Sequence, residues 1–346
     1  MPKALITGVT GQDGGHLAEL LHEKGYEVYG VMRGQTESSH ERHQALQEEF
    51  PFLNIVMADL IDLSALTRAL QEIQPDEVYN LAAISHVGYS FKDPILTAHV
   101  TGLGVVNMLE AIRLAGLEKT AKFYQASTSE MFGGLDYNRP ETGYTEEAAF
   151  HPRSPYGVAK TYGYWMTRNY RESYGMYAVS GLLFNHEGER RGPEFVTRKI
   201  SIAAAKIKLG KQEVLELGNM DASRDWGYSR DYVEGMWRML QQDTDEPKDY
   251  VLATGETHTV REFVELAFAE VGMDIEWRGE AEKEEGVDKN TGEVRVRINP
   301  EFYRPAEVDL LLGDPSAAEK ELGWTRKTDF PGLVKLMVEH DLKRLS

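Results

Sequence analysis

A short apolar run near the start of the chain, Ala4-Leu-Ile-Thr-Gly8, breaks into the glycine-spaced turn Val9-Thr-Gly11-Gln-Asp-Gly14 and then into a helical pattern over 15–24. Strand, glycine turn and helix in that order leave few folds open. Glycines permit the tight turn and a close backbone approach, and the helix N-terminus offers unpaired N–H groups to a pyrophosphate. The spacing is G-x-x-G-x-x-G rather than G-x-G-x-x-G, and such a turn alone does not establish a nucleotide site. Its place directly after a β-like run supports the dinucleotide reading.

The alternation continues. Apolar runs at 27–32, 54–58, 77–81, 122–126 and 177–183 read as strands, with amphipathic helices at about 63–73, 94–115 and 155–174 between them. This predicts an α/β chain, a doubly wound parallel sheet of the Rossmann type covered on both faces. After about residue 184 the pieces shorten, which predicts a smaller C-terminal substrate-binding lobe over the strand ends. We expect residues 1–183 with about 226–260 to form the dinucleotide-binding domain, and 184–225 with 261–346 to form the lobe. Residues 280–297 read as a charged, exposed loop or hairpin.

At 346 residues and 41% hydrophobic content the chain can bury a sizeable core, and no run is expected to cross a membrane. The net charge of -18 opposes nucleic-acid binding. Any phosphate must therefore meet local positive charge, for which Arg190-Arg191, Arg198-Lys199, Arg224, Arg230 and Arg304 are candidates. The absence of cysteine excludes disulfides, thiolate catalysis and cysteine-bound metal. No histidine pair has H-x-x-x-H spacing with nearby acids, so no metal is expected, and His40 and His43 read as surface residues. No charged-then-apolar leader precedes the first strand, from which a cytoplasmic location is expected.

Ligands of doubly wound sheets bind outside the carboxyl ends of the strands. The notable residues fall there: 8–14, Arg33, Asp59, Ala82 to His86, Ser127 to Glu130 and Asn185 to Arg191. Arg33 stands where NAD-binding folds place an acid for the ribose diol; a guanidinium there pairs with a 2′-phosphate, so NADP is expected over NAD. Asp59 is a candidate acceptor for the adenine amino group, and Asp62 is the better helix cap. Tyr156 and Lys160, four apart on a helix, share one face. An ammonium beside a phenol is expected to lower its pKa and make it a usable base.

The segments Thr7 to Gly14, Asn80 to Val87, Tyr124 to Glu130, Pro152 to Lys160, Phe184-Asn-His-Glu187, Phe195 to Lys199, Leu217-Gly-Asn219, Arg224-Asp-Trp226 and Tyr303 to Asp309 carry a resemblance over nearly the whole chain. It is to the extended short-chain dehydrogenase/reductase superfamily and, within it, the GDP-mannose 4,6-dehydratase family. The resemblance implies an acid/base pair at Glu130 and Tyr156, supported by Thr128, Lys160 and Ser129. It implies cofactor contacts from Gly8, Thr10, Gly11, Gln12, Asp13, Gly14, Arg33, Asp59, Leu60, Leu81, Ala82, Ala83 and Ser85, together with Tyr156, Lys160, His186 and Arg191. Contacts to the nucleotide sugar are implied for Ser85, Asn185, Val196, Lys199, Gly218, Arg224, Arg304 and Glu307. Two departures stand out: Ile84 replaces a glutamine, and Arg33 stands where the family carries paired arginines before a serine-rich loop.

By resemblance the substrate is GDP-mannose, the cofactor NADP and the assembly a homodimer or homotetramer. The helices at 94–115 and 155–174 carry apolar residues on more than one face, which itself suggests a second burial surface. The implied reaction is redox-neutral: Tyr156 takes the C4 hydroxyl proton, Glu130 takes the C5 proton, and water leaves from C6. A 4-epimerase would keep Tyr156, Lys160 and the glycine run without needing Glu130, whereas a 4-keto-6-deoxy sugar reductase would consume NADPH stoichiometrically. A catalytically silent NADP-binding regulator could lose Thr128, Tyr156 and Lys160 freely, and all three are present.

Overall fold

The structure, a computed structural model, describes residues 1–34, 37–134, 142–302 and 310–346, with the side chains of 37–42 left out. Arg304, Glu307 and the rest of the 303–309 stretch, together with the His40 side chain, lie outside the described residues.

The strands Lys3–Thr7 (β1), Glu27–Met32 (β2), Asn54–Met57 (β3), Glu77–Asn80 (β4), Lys122–Ala126 (β5) and Ala178–Leu183 (β6) follow the predicted alternation. With the short strand Tyr250–Leu252 they make one seven-stranded sheet, in the order Tyr250–Leu252, β6, β5, β4, β1, β2, β3. Every pairing is parallel. The order reverses between β1 and β4, so the crevice of a doubly wound sheet opens there. Strands buried on both faces need continuous apolar sequence, and Ala4, Leu5 and Ile6 of β1 are fully buried.

Two helices depart from expectation in informative ways. The first begins at Gln12, three residues before the predicted start, so Gly14 lies in its first turn. A Cβ on Gly14 would sit 2.3 Å from the Gly8 oxygen, and Gly8 itself has φ +74 with Ala82 N 2.8 Å from where its Cβ would be. Those two glycines let the turn close against β4's exit. The predicted 94–115 helix is three continuous pieces: Pro94–Thr97, a π-helical segment Ala98–Leu103, and Gly104–Leu114. Within the π segment, Thr101 Oγ1 accepts a hydrogen bond from Ile84 N at 3.0 Å, holding the loop that leaves β4. Contrary to the expectation that no run spans a membrane's thickness, these 21 residues are long and apolar enough to do so. Their apolar side is committed elsewhere: Val105, Met108, Leu109 and Ile112 are buried in the core under the sheet.

Beyond β6 a second core forms from the helices Val196–Lys208, Val260–Glu270 and Phe330–Leu345. They pack with a four-stranded sheet containing Leu215–Leu217, Ile275–Arg278, Glu285–Asp288 and Val294–Ile298. The last two are an antiparallel hairpin, one of the two forms expected for 280–297, but it is not exposed throughout, since Val287, Asp288 and Val296 are buried. The chain then crosses back: Ala318 and Trp324, from the stretch expected in the lobe, are buried in the sheet's own core, and Trp324 Nε1 donates to Asp231 O at 2.7 Å.

Candidate active site

A cleft of about 1030 Å³ runs along the strand ends between the two cores. At one end stands the glycine turn, where the helix N-cap is Gly11 and no side chain caps the first-turn N–H groups. Gly8, Thr10, Gly11, Gln12, Asp13 and Gly14 all line it, as do Arg33 beyond β2 and Asp59 and Leu60 beyond β3. Asp62, not Asp59, caps the following helix, its carboxylate accepting Ala65 N at 2.9 Å.

A polar chain aligns the strand ends beneath the cleft. Thr7 Oγ1 donates to Asn80 Oδ1 at 2.7 Å and accepts the backbone N–H groups of Leu81 and Ala82 at 3.1 Å each. Asn80 Nδ2 continues to Gln125 Oε1 at 2.8 Å, and Gln125 Nε2 to the Ala126 oxygen at 2.8 Å. Lys160 Nζ reaches that same oxygen at 2.6 Å. Buried polar groups are tolerated because each has a partner. The result fixes Leu81, Ala82, Ala83 and Ser85 on one bank and Lys160 on the other.

The helix Pro155–Tyr174 carries the next group. It starts cleanly because Ser154 Oγ accepts Gly157 N at 3.0 Å and Pro155 takes the first helical position. Tyr156 and Lys160 therefore face the cleft one turn apart, with Lys160 Nζ 5.8 Å from the centre of the phenol ring. Thr128, after β5, hydrogen-bonds the Tyr156 phenol, and Glu130 lies close enough for its charge to act on it. Ser129 lines the same wall.

The expected depression of the Tyr156 pKa is not found. Burial pushes the phenol up to about 12, the Glu130 charge adds to the rise, and Thr128 and Arg191 only partly offset it. Lys160 is not among the groups that lower it. Burial also brings the Lys160 ammonium down to about 8, against the opposing charge of Asp13. For both groups desolvation outweighs the hydrogen bonds and charges that favour the ionised form.

The far wall comes from Asn185–Glu187, a strand paired with Trp226–Tyr228. His186 turns toward the glycine turn, Nε2 meeting Asp13 Oδ2 at 2.8 Å and Nδ1 meeting Phe184 O at 2.7 Å. Asp13 also accepts from Ser229 Oγ at 2.9 Å and Gln12 Nε2 at 3.1 Å. Its carboxylate is thus held by three side chains while it still lines the cleft. Asn185, Arg191, Val196, Lys199, Gly218 and Arg224 line the lobe side.

Of the predicted cations, Arg190, Arg191, Lys199 and Arg224 reach the cleft, and Arg198 and Arg230 do not. Arg198 is buried against Asp341 at 2.6 Å, and Arg230 pairs with Glu19 at 3.0 Å. Several polar lining residues were given no role from sequence, among them Glu187, Glu194, Thr197 and Asn219. The Asn-His-Glu run was the available signal for Glu187.

The family profile described as GDP-mannose 4,6 dehydratase matches residues 5–337. The chain belongs to the GDP-mannose 4,6-dehydratase family. It is 51% identical over 347 residues to the GDP-mannose 4,6 dehydratase of Dictyostelium discoideum, covering 98% of this chain and 96% of the relative. It is 52% identical over 348 residues to the GDP-mannose 4,6-dehydratase of Sinorhizobium fredii, covering 99% and 97%. Among solved structures it is similar to a Thermus thermophilus UDP-glucose 4-epimerase complexed with NAD, with TM-score 0.76 and 26% identity over 98% of both chains. Fold and family thus agree with the reading from the strand ends.

Proposed function

We propose that the chain is a nucleotide-sugar 4,6-dehydratase that converts GDP-mannose to GDP-4-keto-6-deoxymannose, using bound NADP. The observation that carries this is the meeting of Thr128, Glu130 and Tyr156 on one wall of a cleft that ends at an uncapped helix N-terminus. The residues suit a nicotinamide dinucleotide. The glycine turn closes tightly along the cleft, the first-turn N–H groups have no side-chain cap against a pyrophosphate, and Arg33 suits a 2′-phosphate.

When bound, the nicotinamide supplies the hydride acceptor for C4 and the donor for C6. Tyr156 Oη, positioned by Thr128, takes the C4 hydroxyl proton as a phenolate, a form that its burial disfavours and that the positive charge of an oxidised nicotinamide beside it would favour. The C4 ketone acidifies the C5 proton, which Glu130 removes. The C6 hydroxyl leaves as water with a proton from Glu130, directly or through Ser129, and C5 regains a proton that balances the one Tyr156 took from the C4 hydroxyl. Asn185, Val196, Lys199, Gly218 and Arg224 hold the nucleotide half of the substrate, with Ser85 toward the hexose and Arg304 and Glu307 completing the set.

Incubation of the purified protein with GDP-mannose and no added reductant tests this. A product lighter by one water is expected by mass spectrometry. Unchanged mass with an altered sugar would instead mark an epimerase, and stoichiometric consumption of NADPH a reductase.

We further propose assembly through the outer face of the Pro155–Tyr174 helix and its neighbour. Val158, Tyr162 and Trp165 are 56%, 43% and 51% exposed, and Ile95 and Leu103 beside them 68% and 44%. Elsewhere on the same stretches, Val100, Leu109 and Tyr170 are buried within the chain. The remaining exposed row suits a two-fold contact with a second copy, giving a dimer or a tetramer built from dimers.

A further inference from the structure

Glu187 is 2% exposed, yet it carries a carboxylate that none of the steps above uses. One of its oxygens, Oε2, serves two partners from different parts of the cleft. Thr197 Oγ1 donates to it at 2.5 Å, and Arg191 Nε lies 3.0 Å away. The arginine's approach is a contact between charges rather than an aligned hydrogen bond, since Nε has no hydrogen-bond partner among the described residues. The Arg191 guanidinium is also stacked on Phe195, 3.7 Å from the ring centre, and it lines the cleft.

The two partners lead to opposite halves of the site. Arg191 sits on the cofactor side, where its charge acts on Asp13 and His186. Thr197 is in the first turn of the Val196–Lys208 helix, in the same turn as Val196 and Lys199, which line the nucleotide-sugar side. A buried carboxylate with its charge only partly compensated gains when an arginine and a hydroxyl are both held against it. Fixing either partner fixes the shared oxygen, so the second element has less freedom left to lose.

We propose that Glu187 is a positioning residue that couples the two halves of the cleft. Through one carboxylate oxygen it sets Arg191 toward the cofactor and the first turn of the Val196–Lys208 helix toward the sugar nucleotide, so that filling one half tightens the other. The inference rests on the assignment of Arg191 and Lys199 to those halves under the proposed function. By reciprocity the effect is the same from either side.

The test is a binding cycle by calorimetry, with GDP as the probe because it has no hexose to turn over. GDP is titrated into cofactor-stripped and NADP-loaded protein, for the wild type, Glu187→Gln and Thr197→Val. The wild type is expected to bind GDP about 5-fold or more tightly when loaded, within the usual range of coupling between sites. In Glu187→Gln the ratio falls to about 1, and in Thr197→Val it falls part of the way. A purely structural role would weaken both measurements equally and leave the ratio intact, which overturns the proposal. A wild-type ratio of one overturns it too. Should Glu187→Gln not fold, the Thr197→Val ratio decides alone. Failure of the wild type to bind either GDP or NADP would instead sink the functional reading itself.

Discussion

Asp13 Oδ2 and His186 Nε2 meet at 2.8 Å although 173 residues separate them in the chain. The pair ties the first turn of the nucleotide-loop helix to the strand that opens the lobe, and His186 is stacked on Tyr232 with ring centres 4.7 Å apart. Each partner's ionisation follows from the other. Burial opposes charge on both, but the His186 charge and hydrogen bond, aided by Arg191, hold the Asp13 carboxyl well below its usual range. Asp13 in turn raises His186 above 6.5.

The pH dependence follows from those directions. A raised imidazole stabilises the fold fully below its unfolded value and loses that contribution as pH rises through the folded one. The lowered carboxyl contributes above its unfolded value and is lost only in acid. Asp13→Asn is therefore expected to lower the melting temperature, with a larger gap from wild type at pH 6 than at pH 9. Thermal melts at the two pH values check it, and a gap that widens toward pH 9 contradicts it.

Glu130→Gln is expected to keep nucleotide-sugar binding nearly intact while dehydration falls by roughly two to four orders of magnitude, the usual worth of a positioned acid or base. With C5 proton removal blocked, reduced cofactor is expected to build up on the enzyme. Mass-spectrometric turnover and nicotinamide absorbance on the same sample read both effects. Wild-type turnover in this variant would refute the role of Glu130.

Lys160 illustrates a stability cost carried for activity. Its ammonium is buried and brought down to about 8. A lysine depressed on folding destabilises the native state at neutral pH, and the penalty fades as pH rises from about 8 toward the unfolded value near 10.5. Lys160→Met is expected to lose most activity yet melt a few degrees higher at pH 7, with the advantage shrinking by pH 9.5. The lost hydrogen bond to the Ala126 oxygen works against that gain. A melting temperature below wild type at pH 7 would show that bond to dominate.

Arg33 is exposed at the mouth of the cleft beyond β2. Thermal shift of cofactor-stripped protein is expected to be larger with NADP than with NAD, and Arg33→Asp is expected to bring the NADP shift down to the NAD level or below. Equal shifts in the wild type would contradict the NADP assignment.

Trp165→Glu places a charge in the exposed apolar row of the Pro155–Tyr174 helix. Light scattering at micromolar concentration is expected to find a dimer or larger for the wild type and a smaller species for the variant. Because that helix also carries Tyr156 and Lys160, activity is expected to fall with dissociation. A fully active wild-type monomer would exclude this interface.

Much of this protein was legible in the linear sequence because the relevant physics is local. β1 and its glycine turn declare themselves through an apolar run followed by residues without side chains. Tyr156 and Lys160 share a face by helical period alone, and Thr128 to Glu130 fall at a strand end by the rule for doubly wound sheets. What sequence did not reveal depends on distance and solvent. Arg198 and Arg230 read the same as Arg190 and Arg191 in a string of letters, and only packing buries the first against Asp341 and leaves the second outside the cleft that Arg190 and Arg191 line. The Tyr156–Lys160 spacing predicts attraction between the two groups, yet it says nothing of how much water both lose, and burial decides the sign of the phenol's shift. The long apolar stretch from Pro94 to Leu114 satisfies a membrane criterion until the sheet covers it. Glu187 and Thr197 lie ten residues apart, in two separate segments that nothing in the sequence joins. Only the turn of the chain between Asn185–Glu187 and the next helix brings one carboxylate oxygen against both a hydroxyl and a guanidinium, because contact between distant side chains is a property of the closed fold and not of the order of residues.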